Sequence, residues 1–148
     1  MNMNEIKNIK EFIKNNKDKR IIVVGTTCTG KTTLLKEINN AEDMDNLIFP
    51  KLTKKEIDYV CNTPWTEEIG KTMIKLVKEK IKVEKEKPLF GTVVLDCDLI
   101  IYLNISNELL KERTIKRKAK FKDAKNMQNQ ILNEIKESKI LCVRYKVI

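Results

Sequence analysis

Residues 25–32 read Gly-Thr-Thr-Cys-Thr-Gly-Lys-Thr, a complete GxxxxGK[ST] pattern, and no other stretch constrains the fold of this chain as strongly. At average residue frequencies the pattern arises by chance in a chain of this length about once in a few hundred cases. Its flanks supply the context. Ile21-Ile22-Val23-Val24 is a β-branched run suited to a strand buried on both faces. Beyond the loop, Leu34, Leu35 and Ile38 mark the inner stripe of a helix that fades at Asn39-Asn40. Strand, glycine loop and helix in that order give the pattern its chemical meaning. Gly25 and Gly30 permit backbone turns that aim successive amides inward, and the helix start adds its partial positive charge. Lys31 is positioned to reach β- and γ-phosphates, and the Thr32 hydroxyl suits a Mg2+ ligand. The expected nucleotide-binding residues are Gly25, Thr26, Thr27, Cys28, Thr29, Gly30, Lys31, Thr32 and Thr33. ATP is favoured over GTP, because no Asn-Lys-x-Asp base-reading motif follows a later strand; Asn16-Lys17-Asp18 precedes the loop at the wrong spacing.

The rest of the chain alternates strands with helices. Ile6, Ile9 and Ile13 predict an amphipathic helix over 3–15. Leu47-Ile48-Phe49, closed by Pro50, reads as a second short strand. Thr53 with Glu56 has capping-box spacing, and Thr63-Pro64 reads as N-cap and first position of a longer helix, with Ile69, Met73, Leu76, Val77 and Ile81 inward. Two apolar runs, Val93-Val94-Leu95 and Leu99 to Ile105, are separated only by Asp96-Cys97-Asp98. Parallel neighbours need a crossover of a dozen or more residues. The expectation is therefore either one bent strand over 92–105, or a loop over 89–97 with only 98–105 pairing. A helix from about Ser106 to Lys120, another carrying Ala124, Met127, Ile131 and Ile135, and a strand from Ile140 to Ile148 complete the chain. This alternation predicts an α/β fold with a mostly parallel sheet, in a single domain over 1–148.

Composition closes off other chemistries. With no histidine, Ser-His and Cys-His catalysis and His-ligated metals are excluded. Cys28, Cys61, Cys97 and Cys142 are too far apart for a CxxC motif and read as small buried residues. Thirty Lys+Arg against 21 Asp+Glu give a net charge of +9, spread along the chain as a solvated basic surface. Tyr59, Trp65, Phe90 and Phe121 are not interleaved in an RNA-binding pattern. No apolar run reaches the roughly 20 residues of a membrane span, and the first residues hold no signal-peptide core, so a cytoplasmic chain without membrane contact is expected.

The segment from Asp98 to Arg117 is a strand, a Ser/Asn helix start, and then Arg113 and Arg117 four apart on one helical face. With the loop at 25–32 upstream, this resembles the strand–helix–lid passage of the adenylate-kinase-like nucleoside and nucleotide kinases, a group that includes shikimate- and gluconate-type kinases. The likeness covers residues 20–40 and 98–120. It implies a three-layer P-loop NTPase fold with a short helical lid, formed here by the arginine helix over 106–122. It also implies Mg-ATP as cofactor, with Lys31, Arg113 and Arg117 as catalytic residues: Arg113 toward the adenine and Arg117 on the transferring phosphates. Lys116, Lys118 and Lys120 would enrich the positive field.

By the same resemblance residues 41–91 would bind the phosphoryl acceptor, with Asp43, Asp45, Lys51, Trp65, Glu67 and Glu68 as charged or aromatic candidates. The metal ligands expected are Thr32 and Asp96, the latter from the carboxylate-ended run Val93-Val94-Leu95-Asp96, with Asp98 as a turn or cap residue. The activity implied is transfer of a phosphoryl group from Mg-ATP to a nucleoside, nucleotide or similar metabolite. A nucleic-acid 5′-hydroxyl is a minority acceptor. The alternatives are a nucleotide-binding regulatory ATPase and a kinase-like protein without transfer chemistry. No feature of the chain specifies an oligomeric state.

Overall fold

Strand β1, Ile21–Val24, is buried on both faces, and its alternating side chains feed two separate cores. The computed structural model describes all 148 residues. Four further strands flank β1: β2 (Glu42–Asp43), β3 (Leu89–Gly91), β4 (Leu99–Ile105) and β5 (Leu141–Val147). They form one sheet of order β2-β3-β1-β4-β5 in which every neighbouring pair is parallel. Ile21 and Val23 pack with Leu99, Ile101 and Leu103 on one face, under helices α1 (Met3–Asn15), α2 (Lys31–Glu37) and α6 (Asn107–Lys116). Ile22 and Val24 pack with Ile100 and Tyr102 on the other. That face is covered by α3 (Met44–Ile48), α5 (Glu67–Lys80) and most of α7 (Phe121–Ser138), with Val60 of α4 (Lys54–Val60) joining the same core. Helices thus cover both faces of a parallel sheet, the α/β class expected of alternating elements. No helix is long and apolar enough to cross a membrane.

Four details correct the sequence reading. Leu47-Ile48-Phe49 is helix and 3-10 turn, and the second strand is the pair Glu42–Asp43 before it. The Asp43 carboxylate accepts the Asp45 N–H at 2.9 Å and starts α3, which buries Met44 and Ile48 one helical turn apart. The long middle helix is capped by Thr66, whose hydroxyl accepts the Ile69 N–H at 3.2 Å, and not by Thr63. Starting there puts Glu67 and Glu68 in the first turn, where the helix dipole favours them.

Both alternatives for residues 92–105 give way to a third arrangement. Residues 89–91 pair with β1 on one side and β4 pairs with it on the other. Seven residues, 92–98, carry the chain back between them without a helix. They need to retrace only the length of a four-residue strand, about 13 Å. Extended, they reach about 24 Å. Val93, Val94, Leu95 and Cys97 are buried in the core that holds Ile22 and Ile100, so this crossover itself acts as packing material.

The fourth correction concerns the arginine helix. It stops at Lys116, and Arg117 is its C-cap. Lys118 takes the left-handed conformation, its N–H bonding the Ile115 carbonyl while the Ala119 N–H reaches the Thr114 carbonyl. This is a Schellman termination with lysine in the usual glycine position. No lid-length helix spans 106–122; residues 117–120 are a turn, and α7 begins at Phe121. Cys28 and Cys97 are buried as expected, whereas Cys61 is exposed; all four cysteines are free.

Candidate functional site

In an open parallel sheet the ligand crevice lies beyond the carboxyl ends of the strands, where neighbouring connections leave in opposite directions. Here β1 is that place: the chain leaves it through the 25–32 loop toward β2 on one side, and β4 adjoins it on the other. A cavity of about 320 Å³ opens at this edge. Thr27 through Thr33 line one side of it, the β2 and β3 ends contribute Asp43 and Gly91-Thr92, and Arg117 enters from the end of α6.

Local chemistry holds the loop in shape. Gly25 is closely packed: a Cβ there would stand 2.8 Å from Thr29 Oγ1 and 3.1 Å from Leu103 Cβ. Gly30 has φ +93°, a conformation side chains disfavour, and caps α2. Cys28 is also left-handed, at φ 67°, without glycine's freedom. Its carbonyl accepts a 2.9 Å bond from Arg113 Nη1, a tie from α6 to this strained residue. Thr26 and Thr29 are buried braces: Thr26 Oγ1 donates to the Ala124 carbonyl and Thr29 Oγ1 to the Thr26 carbonyl.

Lys31 lies back along the loop, its ammonium donating to the carbonyls of Gly25 at 2.5 Å and Thr26 at 2.7 Å. It forms no ion pair, and neither does Arg117. Burial pushes the Lys31 pKa down to about 8, with Asp45, Cys28 and Asp43 opposing that shift and Arg117 adding to it. Asp45 is shifted upward, first by desolvation within the pocket and then by Asp43, with Lys31 pulling the other way.

These positions sort the expected residues. Thr27, Cys28, Thr29, Gly30, Lys31, Thr32, Thr33 and Arg117 share the cavity, as do Asp43, Asp45 and Trp65 of the acceptor candidates. Gly25 and Thr26 stand behind the loop rather than in the cavity. Arg113 does not line it and serves as a loop brace. Asp96 is at the other end of the sheet. Its side chain is 89% exposed and paired at 3.1 Å with Arg20, the residue before β1. A Mg2+ role for Asp96 is therefore overturned: the crossover 92–98 delivers it to the amino edge of β4, a whole strand length from the loop. Asp98 is a cap, accepting the Arg20 N–H at 2.8 Å, and the Arg20 hydrogen bonds hold its pKa below the ordinary value. Lys51 bonds the Lys80 carbonyl and Glu67 pairs with Lys71, both away from the cavity.

Sequence reasoning missed the far wall, formed by Phe49, Val60, Met73 and Met127. Each has the spacing of a core residue, and only the fold turns them toward the loop. The only carboxylates in the lining are Asp43 and Asp45. No group of three or more His, Cys, Asp or Glu side chains is placed to hold a metal ion. The residues suit Mg2+, which keeps most of its waters and takes one or two protein oxygens beside phosphate, rather than a metal needing a full protein cage.

The Lys31 shift carries a testable consequence. Below pH 8 the free loop holds its charge; above it, anion binding must first recapture a proton. Affinity for a triphosphate is expected to be flat from pH 7 to about 8, then to fall up to tenfold per unit, read by calorimetric titration. Phosphate's own second ionisation, near 6, lies outside this window. Stability moves oppositely. Between pH 8 and the ordinary lysine value of 10.5 the unfolded chain holds the extra proton, so the Lys31 contribution to stability rises with pH.

The chain matches no known family model and no curated protein.

Proposed function

We propose that this chain is an ATP-dependent phosphotransferase acting on a small hydroxyl-bearing acceptor. One observation carries the reading: Lys31 and Arg117, two cations without ion-pair partners, converge on a cavity that also holds Asp43 and Asp45. An enclosed ammonium held by two carbonyls and the Thr29 hydroxyl, with no carboxylate paired to it, lacks a counter-charge. A polyphosphate completes it.

A bound magnesium–nucleotide would supply the transferable phosphoryl group and screen its charge. The chain's own residues do the remainder. Amides of residues 27–33 and the start of α2 hold anionic oxygens. Lys31, held in the free chain by the Gly25 and Thr26 carbonyls, would meet the terminal phosphates, and the Arg117 fork would neutralise charge that grows in transfer. The Thr32 hydroxyl and one of Asp43 or Asp45 would hold the cation, in place of Asp96. The other carboxylate orients the acceptor hydroxyl. Such transfer needs positioning and charge neutralisation more than a strong base, so the absence of histidine is no obstacle. Met73, Met127 and Trp65 exclude water from the acceptor side.

Transfer of γ-labelled phosphate from Mg-ATP across nucleosides, nucleotides, hydroxy-metabolites and 5′-hydroxyl oligonucleotides tests this reading. Labelled product in one class is the expected result. Slow release of free phosphate with no acceptor dependence would replace the proposal with a regulatory ATPase.

A further inference from the structure

Resting on the phosphotransferase reading, we infer that the acceptor is an uncharged alcohol built on a planar ring system, as in a nucleoside, and that anionic acceptors are rejected. The argument is one of charge and shape on the wall that faces the loop. About one residue in five of this chain is Lys or Arg. The cavity holds only Lys31 and Arg117, both on the side of the 25–32 loop. Opposite them stand Phe49, Val60, Trp65, Met73 and Met127, with no cation among them.

Lysines on the neighbouring elements do not fill the gap. Lys51, two residues beyond Phe49, bonds the Lys80 carbonyl at 3.1 Å. Lys71, on the same helix as Met73, pairs with Glu67. Lys125, two residues before Met127, bonds Gln128. None of the three lines the cavity.

A second anionic group, the monophosphate of a nucleotide or the carboxylate of a hydroxy acid, would therefore lose its water against apolar side chains and face Asp43 and Asp45 besides. A neutral ring loses little on entry. Phe49 and Trp65 offer faces for stacking, Met73 and Met127 adapt to its outline, and the paired carboxylates accept hydroxyl hydrogen bonds. Trp65 is held for this by Gly70: a Cβ at Gly70 would lie 2.6 Å from the indole Cη2, so the ring rests on bare backbone.

Trp65 is the single tryptophan, which makes the wall its own reporter. The full chain, saturated with a magnesium complex of a non-hydrolysable ATP analogue, is titrated with thymidine and thymidine monophosphate, and with adenosine and adenosine monophosphate, following Trp65 fluorescence. The nucleoside of a pair is expected to bind at least a hundredfold more tightly than its monophosphate. Phe49→Arg, which adds a cation at a half-buried position, is expected to improve monophosphate binding at least tenfold. Equal or tighter binding of the monophosphates to the parent chain overturns the inference. So does a failure of every member to bind while the ATP analogue binds normally. A chain that binds no ATP analogue overturns the phosphotransferase reading itself, and this inference with it.

Discussion

Lys31→Met is expected to lower affinity for a magnesium–ATP analogue at least a hundredfold while leaving the melting temperature unchanged or slightly higher. The combination is unusual, and it follows from the state of the side chain in the free protein. Charge-assisted hydrogen bonds to an anion are worth about 1.5–3 kcal/mol each, so losing the ammonium alone removes one to two decades of affinity. Loss of its long-range attraction for the neighbouring phosphate adds to that. In the unliganded fold the same ammonium is a burden. A pKa lowered from 10.5 to about 8 corresponds to roughly 3 kcal/mol by which folding disfavours the charged form. Against this stand the two carbonyls, of Gly25 and Thr26, that lose their donor, at about 1 kcal/mol or somewhat more each. Methionine keeps the length of the stem, so no large cavity opens. The terms nearly cancel, and a residual 1 kcal/mol moves the melting temperature of a chain this size by about 2–4 °C. Titration calorimetry and a thermal melt on the same preparation decide it. Affinity within threefold of the parent would show that Lys31 does not meet phosphate, and a large drop in melting temperature would make it a structural residue.

What could be read in advance follows the range of the interactions involved. The helix over 3–15, the strand at Ile21–Val24 and the capping box at Thr53 were legible because each is written in residues a few positions apart. Strand β2 was not: two residues carry no periodicity, and Glu42–Asp43 is a strand only because Leu89 and Phe90 lie beside it. The end of α6 was hidden for another reason. Its Schellman turn uses Lys118 where glycine is the usual signal, so a basic run that reads as continuing helix conceals a stop. The largest misreading, at residues 92–98, came from taking the two apolar runs as neighbouring strands that a dozen or more residues would have to join, whereas the paired residues are 89–91 and 99–105 with β1 between them. Strands of three and four residues leave little distance to retrace, and an apolar extended segment suffices.

The candidate site divides along the same line. Its loop half was legible because those residues are consecutive: 27–33 line the cavity together, and the glycine of the pattern, Gly30, takes the left-handed conformation. Its far half comes from five separate places in the chain, and Phe49, Val60 and Met73 satisfy core spacing equally well. Asp96 failed in the opposite sense. An apolar run ending in Asp looks like a strand aimed at the loop, whereas Val93-Val94-Leu95 runs across the sheet face toward its amino edge, where Arg20 takes the carboxylate.

Arg117→Ala is expected to reduce phosphoryl transfer about a thousandfold while changing affinity for a magnesium–ATP analogue by less than tenfold. Arginines that meet developing charge on a transferring phosphoryl group are worth 10³–10⁵ in turnover. Such a contact strengthens in the transition state, so its loss falls on kcat more than on ground-state binding. The free protein leaves this side chain available. Arg117 is exposed and has no ion-pair partner, and as the C-cap of α6 it contributes to the helix through its backbone N–H on the Arg113 carbonyl, which alanine keeps. Folding should be untouched. A second readout separates charge from mere shape. Arg117 is one of the groups that lower the Lys31 pKa, so its removal should move the alkaline fall in nucleotide affinity to higher pH. Arg117→Lys should keep that fall in place yet recover only part of the turnover, because an ammonium lacks the planar fork that grips two oxygens. Asp96→Asn is the matched contrast. It weakens an exposed pair with Arg20 at the far edge of the sheet, and turnover should stay within twofold of the parent. Equal losses from Asp96→Asn and Arg117→Ala would mean that the two edges of the sheet are not chemically distinct, and unchanged turnover in Arg117→Ala would remove the arginine from the reaction.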